Sequence, residues 1–125
     1  MTDSLQTQND LHLESVLGDG VEFIGLLNKH GRLVESQYNK QIQISMRKSE
    51  MLFMVISLSS SLQRDFDDDF GAVKYTVIER RNLKFVSLPR EDGTIVILMK
   101  KKFDHKPVIR KMTEKKVLAG MTCVP

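Results

Sequence analysis

Ile42-Gln43-Ile44-Ser45-Met46-Arg47-Lys48-Ser49-Glu50-Met51-Leu52-Phe53-Met54-Val55-Ile56-Ser57-Leu58-Ser59-Ser60-Ser61-Leu62-Gln63-Arg64-Asp65-Phe66 contains neither glycine nor proline. Its apolar spacing predicts one helix of about six to seven turns. Ile44, Met51, Val55, Leu58 and Leu62 advance by steps of three and four, interrupted at Lys48, and so form a single line suited to docking on a sheet. A second line, Ile42, Met46, Phe53 and Ile56, is bridged by Ser49 and extended by Ser60, roughly 160° around the cylinder. A helix with two apolar sides needs two partners. The first line is expected to face the sheet and the second to meet a further element or a second copy of the chain.

Outward from this helix the pattern changes to strands on both sides. Residues 21–27 form an apolar strand, and the turn Asn28-Lys29-His30-Gly31 leads into a second strand at 32–36, giving a hairpin in which Gly31 supplies positive φ. After the helix, strands are expected at 73–81, 83–88 and 94–99, a meander with a turn at 89–93. The last strand, Ile95-Val96-Ile97-Leu98-Met99, is apolar on both faces, so both sides of the sheet must be covered. Asp104 is placed to cap a closing helix with Pro107 in its first turn and Val108, Ile109 and Met112 on its inner side. Residues 2–17 suit a short amphipathic helix ended by Gly18 and Gly20. The order is thus α-β-β-α-β-β-β-α: an α+β fold with a five-stranded antiparallel sheet and helices on both faces.

The 125 residues, 41% of them hydrophobic, suffice for one domain with its own core. Its ordered part is expected at about 4–118, with a loose tail from Ala119. No apolar run approaches the roughly 18 residues of a membrane span, and the start Met1-Thr2-Asp3-Ser4 lacks the layout of a signal peptide, so a cytoplasmic location is expected. The single cysteine, Cys123, excludes an internal disulfide and with it a small disulfide-built scaffold.

The aspartates at 65, 67, 68 and 69 lack the glycine and glutamate spacing of a calcium loop. They also follow the helix where its dipole disfavours negative charge, so the helix is expected to fray there. His12, His30 and His105 have no ligand partners at metal-binding spacing, and Gly18 and Gly20 lack the rest of a phosphate loop. The mid-helix serines have no strained turn to expose a nucleophile. No catalytic, cofactor or metal site is therefore expected. Charge is unevenly divided: residues 1–72 carry 6 Lys and Arg against 11 Asp and Glu, and residues 73–125 carry 13 against 5. Lys100, Lys101, Lys102, Arg110 and Lys111 make a candidate basic surface for a partner, joined by Lys106, Lys115 and Lys116. Nucleic acid is the weaker candidate for it, because only Phe103 could stack on a base there.

The order of elements, with Gly20-Val21-Glu22-Phe23-Ile24-Gly25-Leu26-Leu27-Asn28-Lys29-His30-Gly31-Arg32-Leu33-Val34-Glu35-Ser36, resembles the Roadblock dynein-light-chain superfamily over roughly residues 5–115. Longin and profilin-like domains are sister arrangements of the same elements. The resemblance implies a small homodimer or heterodimer without an active site that serves as a platform for small Ras-like GTPases or for motor and signalling complexes. The shorter, basic last helix and the acidic connection after the long helix depart from that pattern. The expectation is a dimerising scaffold, with a PAS- or profilin-like ligand sensor and a nucleic-acid-binding protein as alternatives.

The expected dimer interface is Ile42, Met46, Ser49, Phe53, Ile56 and Ser60 of the second helix line, continued by Val73, Tyr75 and Val77 of an exposed edge strand. On that reading Phe53→Glu leaves a folded monomer. If another element of the same chain covers the line, the substitution unfolds the domain.

Overall fold

A computed structural model describes residues 17–18, 20–39 and 44–114. The expected first helix, Ile42, His12, Lys115, Lys116, Cys123 and the tail from Ala119 lie outside the described residues. Five strands form one antiparallel sheet: β1 (Val21–Asn28), β2 (Leu33–Tyr38), β3 (Thr76–Glu79), β4 (Lys84–Arg90) and β5 (Gly93–Met99), in the order β2-β1-β5-β4-β3. Two helices of more than two turns flank it, α1 (Met46–Gln63) and α3 (Lys106–Glu114), and the single turn α2 (Asp67–Phe70) follows α1 through a 3-10 turn at Arg64–Phe66.

Every residue of β5 is buried, as its two apolar faces require. On one face Ile95, Ile97 and Met99 join Val21, Ile24, Val86 and Leu88 beneath Val108, Ile109 and Met112 of α3. On the other, Val96 and Leu98 join Phe23 and Leu27 beneath Phe53 and Ile56 of α1. The sheet therefore lies between helical layers, and the expected α+β arrangement stands. The closing helix is capped as its sequence predicts: Asp104 Oδ1 accepts from the Lys106 N–H at 3.0 Å. That hydrogen bond is the main cause that holds the Asp104 carboxyl below the ordinary carboxylate range, assisted by the charges of His105, Lys106 and Lys84.

The long helix has its faces the other way round from the expectation. Phe53 and Ile56 are 4% and 8% exposed and pack on the sheet, whereas Met51, Val55, Leu58 and Leu62 are more than half exposed. Both lines have helical spacing, so periodicity alone gives neither priority. The aromatic ring decides it: Phe53 stacks on Phe23 of β1 with centroids 6.0 Å apart and planes 14° apart, burying more area than any aliphatic residue of the rival line could. The two residues placed at the centre of the expected dimer interface thus belong to the chain's own core.

The start of α1 also differs from the expectation. The helix starts at Met46, with Ser45 Oγ accepting from the Lys48 N–H at 3.1 Å. At its far end it stops at Gln63, just ahead of the aspartates, as the expected loss of regular helix there requires, but the chain does not simply fray. The 3-10 turn resets the chain, and Asp67, Asp68 and Asp69 occupy the first turn of α2, where a helix dipole favours negative charge. The strand expected from residue 73 begins only at Thr76, because residues 71–75 carry the chain from α2 to the sheet edge. Val73 and Tyr75 are therefore not strand residues, and Val77 packs inward on the α3 side. Strand β4 extends through Pro89, which is tolerated because β3 pairs with β4 only as far as Ser87.

Gly31 closes the β1–β2 turn with φ +80°, and a side chain there would press on Ser57 and on the Met54 backbone of α1. Gly31→Val is expected to cost about 2–3 kcal/mol by enforcing left-handed backbone on a β-branched residue. A thermal melt checks this, and an unshifted midpoint would refute the turn geometry.

Candidate protein-interaction surface

The exposed apolar side chains are more numerous than the sequence pattern indicates. Beyond Met51, Val55, Leu58 and Leu62, Phe66 and Phe70 in the two short turns after α1 are also exposed, Phe70 at 85%. Met54 lies beside them and is also more than half exposed. Soluble chains rarely leave so many large apolar side chains in water, which makes this side of the helix a candidate contact surface. Flexible methionines near its start can adapt to the shape of a partner.

The sheet has an open edge at β3. β3 pairs with β4 on one side alone, which leaves its outer backbone groups available for another strand. Ile78 stands opposite Phe85, a residue packed in the α1-side cluster, so Ile78 projects from the same sheet face as α1 and is 46% exposed. At the opposite edge, β2 exposes Leu33, Val34 and Tyr38.

The expected interface residues are divided by the structure. Met46 is 76% exposed at the start of α1. Ser49 and Ser60 are half-buried on the sheet-facing side with Phe53 and Ile56. Tyr75 is partly exposed, with its ring 6.2 Å from that of His105. The sequence pattern singles out Met51, Val55, Leu58 and Leu62 but directs them to the core, and it passes over Phe66 and Phe70. Counting the four-residue step past the aspartates finds both phenylalanines.

Charge is sorted by the sheet. Lys100, Lys101, Lys102 and Arg110 are exposed and Lys111 is half-buried. Lys84, at the start of β4, is only 5% exposed, and its Nζ lies 3.2 Å from His105 Nδ1. At the opposite end Arg90 pairs with Asp92 at 2.9 Å. Burial lowers the pKa of this guanidinium, opposed by the carboxylates of Asp92 and Glu35. Arg64 donates to the Arg90 carbonyl at 3.4 Å and so holds the end of α1 against this end of the sheet. Among the described residues no helix is long and apolar enough to cross a membrane.

A five-stranded antiparallel sheet covered by a long helix on one face and a short helix on the other, with exposed apolar side chains along the outer side of the long helix, defines the class as an α+β domain. Its particular fold is that of Roadblock/LC7 domains. A Roadblock/LC7 domain from Streptomyces avermitilis superposes with a TM-score of 0.69 at 14% identity, over 89% of this chain and 92% of the other. The gliding protein MglB from Thermus thermophilus gives 0.71 at 10% identity, over 92% of each chain. Profilin II from Acanthamoeba castellanii is more distant, with a TM-score of 0.54 at 7% identity over 88% of this chain and 93% of the other, as a sister arrangement of the same elements would be. No protein-family profile matches the sequence, and no curated protein does.

Proposed function

We propose that the chain is a non-catalytic cytoplasmic scaffold of Roadblock type that pairs with a second copy of itself and offers the assembled surface to a small Ras-like GTPase. The outward line of α1 carries this reading. Each large side chain on it would gain about 1.5–3 kcal/mol on full burial, and a twofold partner presenting the same line buries both copies at once. The interface then consists of Met51, Val55, Leu58, Leu62 and Phe66, with Met46 at the helix start. The free edge of β3 supplies backbone pairing with its twin. This keeps the self-association expected from the sequence and exchanges the helix face that performs it.

Leu58→Glu tests the pairing. Leu58 is 61% exposed, so the folded protomer loses little by the change, while two carboxylates facing each other across a twofold contact oppose association. Light scattering is expected to give a dimer for the wild type and a folded monomer for the variant. A wild type that stays monomeric at high concentration would end the reading. The GTPase assignment rests on the family likeness and is checked by titrating the dimer with a Ras-like GTPase of the same genome in its GDP- and GTP-loaded forms.

A further inference from the structure

We propose that the end of the sheet formed by the β3–β4 turn and the β5–α3 loop is a docking surface for an anionic membrane surface. Lys84 stands opposite Met99 across β4 and β5, so residues 80–83 and 100–105 emerge side by side from the same end of the sheet. Arg80, Arg81, Lys100, Lys101, Lys102 and Lys106 are all exposed there. Beneath them the buried Lys84 adds its charge to the same end. The carboxylates that share this end, Glu22, Glu79 and Asp104, are fewer than the cations.

The loop that carries the lysines is held in place. The Lys100 N–H donates to the Gly20 carbonyl at 2.9 Å and the Phe103 N–H to the Lys100 carbonyl at 3.2 Å. The Phe103 ring lies against the Gly20 backbone, which commits it to the protein and leaves it poorly placed to stack on a base. The cations are therefore carried on fixed loop tips, without the aromatic platform of a single-strand binder.

The acidic residues gather at the far end. Asp65, Asp67, Asp68 and Asp69 follow α1, whose last turn is tied to β4 by the Arg64 to Arg90 hydrogen bond, and Glu91 and Asp92 form the adjacent β4–β5 turn. The length of β4 separates the two ends by about 20 Å, roughly two Debye lengths at physiological salt. A planar anionic surface then attracts the near end while the far end is screened, and the molecule is oriented as well as bound.

Co-sedimentation with phosphatidylcholine vesicles, with and without phosphatidylglycerol, tests the proposal. Binding is expected only with phosphatidylglycerol and is expected to fall as salt is raised. The combined variant K100Q, K101Q and K102Q should lower the partition coefficient at least about tenfold while keeping the wild-type melting temperature. D68N with D69N should not weaken binding. Absence of phosphatidylglycerol-dependent binding, or a lysine variant that binds like the wild type, would overturn the proposal. Tighter binding of duplex DNA than of the vesicles would also overturn it and assign the surface to nucleic acid. No residue of the surface belongs to the outer line of α1, so the Leu58→Glu protein should still bind phosphatidylglycerol vesicles whether or not the wild type self-associates through that line.

Discussion

Phe53→Ala is expected to destabilise the domain by about 3–5 kcal/mol, the range for removing a fully packed aromatic ring from a core. Phe53 is 4% exposed and fills the space between Phe23, Leu27, Ile56, Val96 and Leu98. Its ring also stacks on Phe23, and that contact is lost together with the buried area. Total stability of a domain this size is about 5–15 kcal/mol, so the change consumes a large share of it. Phe53→Glu adds the cost of a carboxylate with no cation beside it in an apolar cluster and is expected to unfold the protein outright.

The contrast with the other helix face makes the result decisive. Leu58→Ala removes a side chain that is 61% exposed in the single chain, and its effect on the protomer's own stability should stay within about 0.5 kcal/mol. Chemical denaturation of Phe53→Ala in the Leu58→Glu background separates folding from association. A Phe53→Ala protein with an unchanged midpoint there would mean that α1 docks through its other line.

Most of the fold was legible because local signals and global packing agree. The two-faced apolar run of β5 demanded covering layers on both sides, and α3 and α1 provide them. Gly31 in the hairpin turn and Asp104 ahead of α3 carry their roles in short-range chemistry, so both were readable without the rest of the chain. The orientation of α1 was not readable in this way. Two lines with the same spacing compete, and the choice depends on Phe23 in a strand distant in sequence, whose ring receives Phe53. The more numerous line points outward. Tyr75 and Val73 read as strand residues by composition, yet the chain must first travel from α2 to the sheet edge. That requirement comes from topology, and local propensity carries no trace of it.

Gly93→Ala is the second substitution expected to have a large effect, on the order of 4 kcal/mol, and it acts through the backbone. Gly93 opens β5 opposite Asn28 of β1 and Arg90 of β4. A Cβ at this position would overlap the carbonyl oxygen of Leu27 and crowd the Asn28 Cα at 3.1 Å. A clash with a flexible side-chain tip relaxes cheaply. This one cannot, because Leu27 is 1% exposed and β1 is hydrogen-bonded to β2 on one side and to β5 on the other. To accept the methyl group, either the β1–β5 pairing must open at this end or the register must shift, and a one-residue slip would turn the buried side chains of β5 to the wrong faces. Glu91→Ala, two residues away in the exposed turn, supplies the comparison and should change stability by less than about 0.5 kcal/mol. Urea midpoints of the two variants check the pair. Equal midpoints would show that β1 does not approach β5 at Gly93 as closely as this register requires.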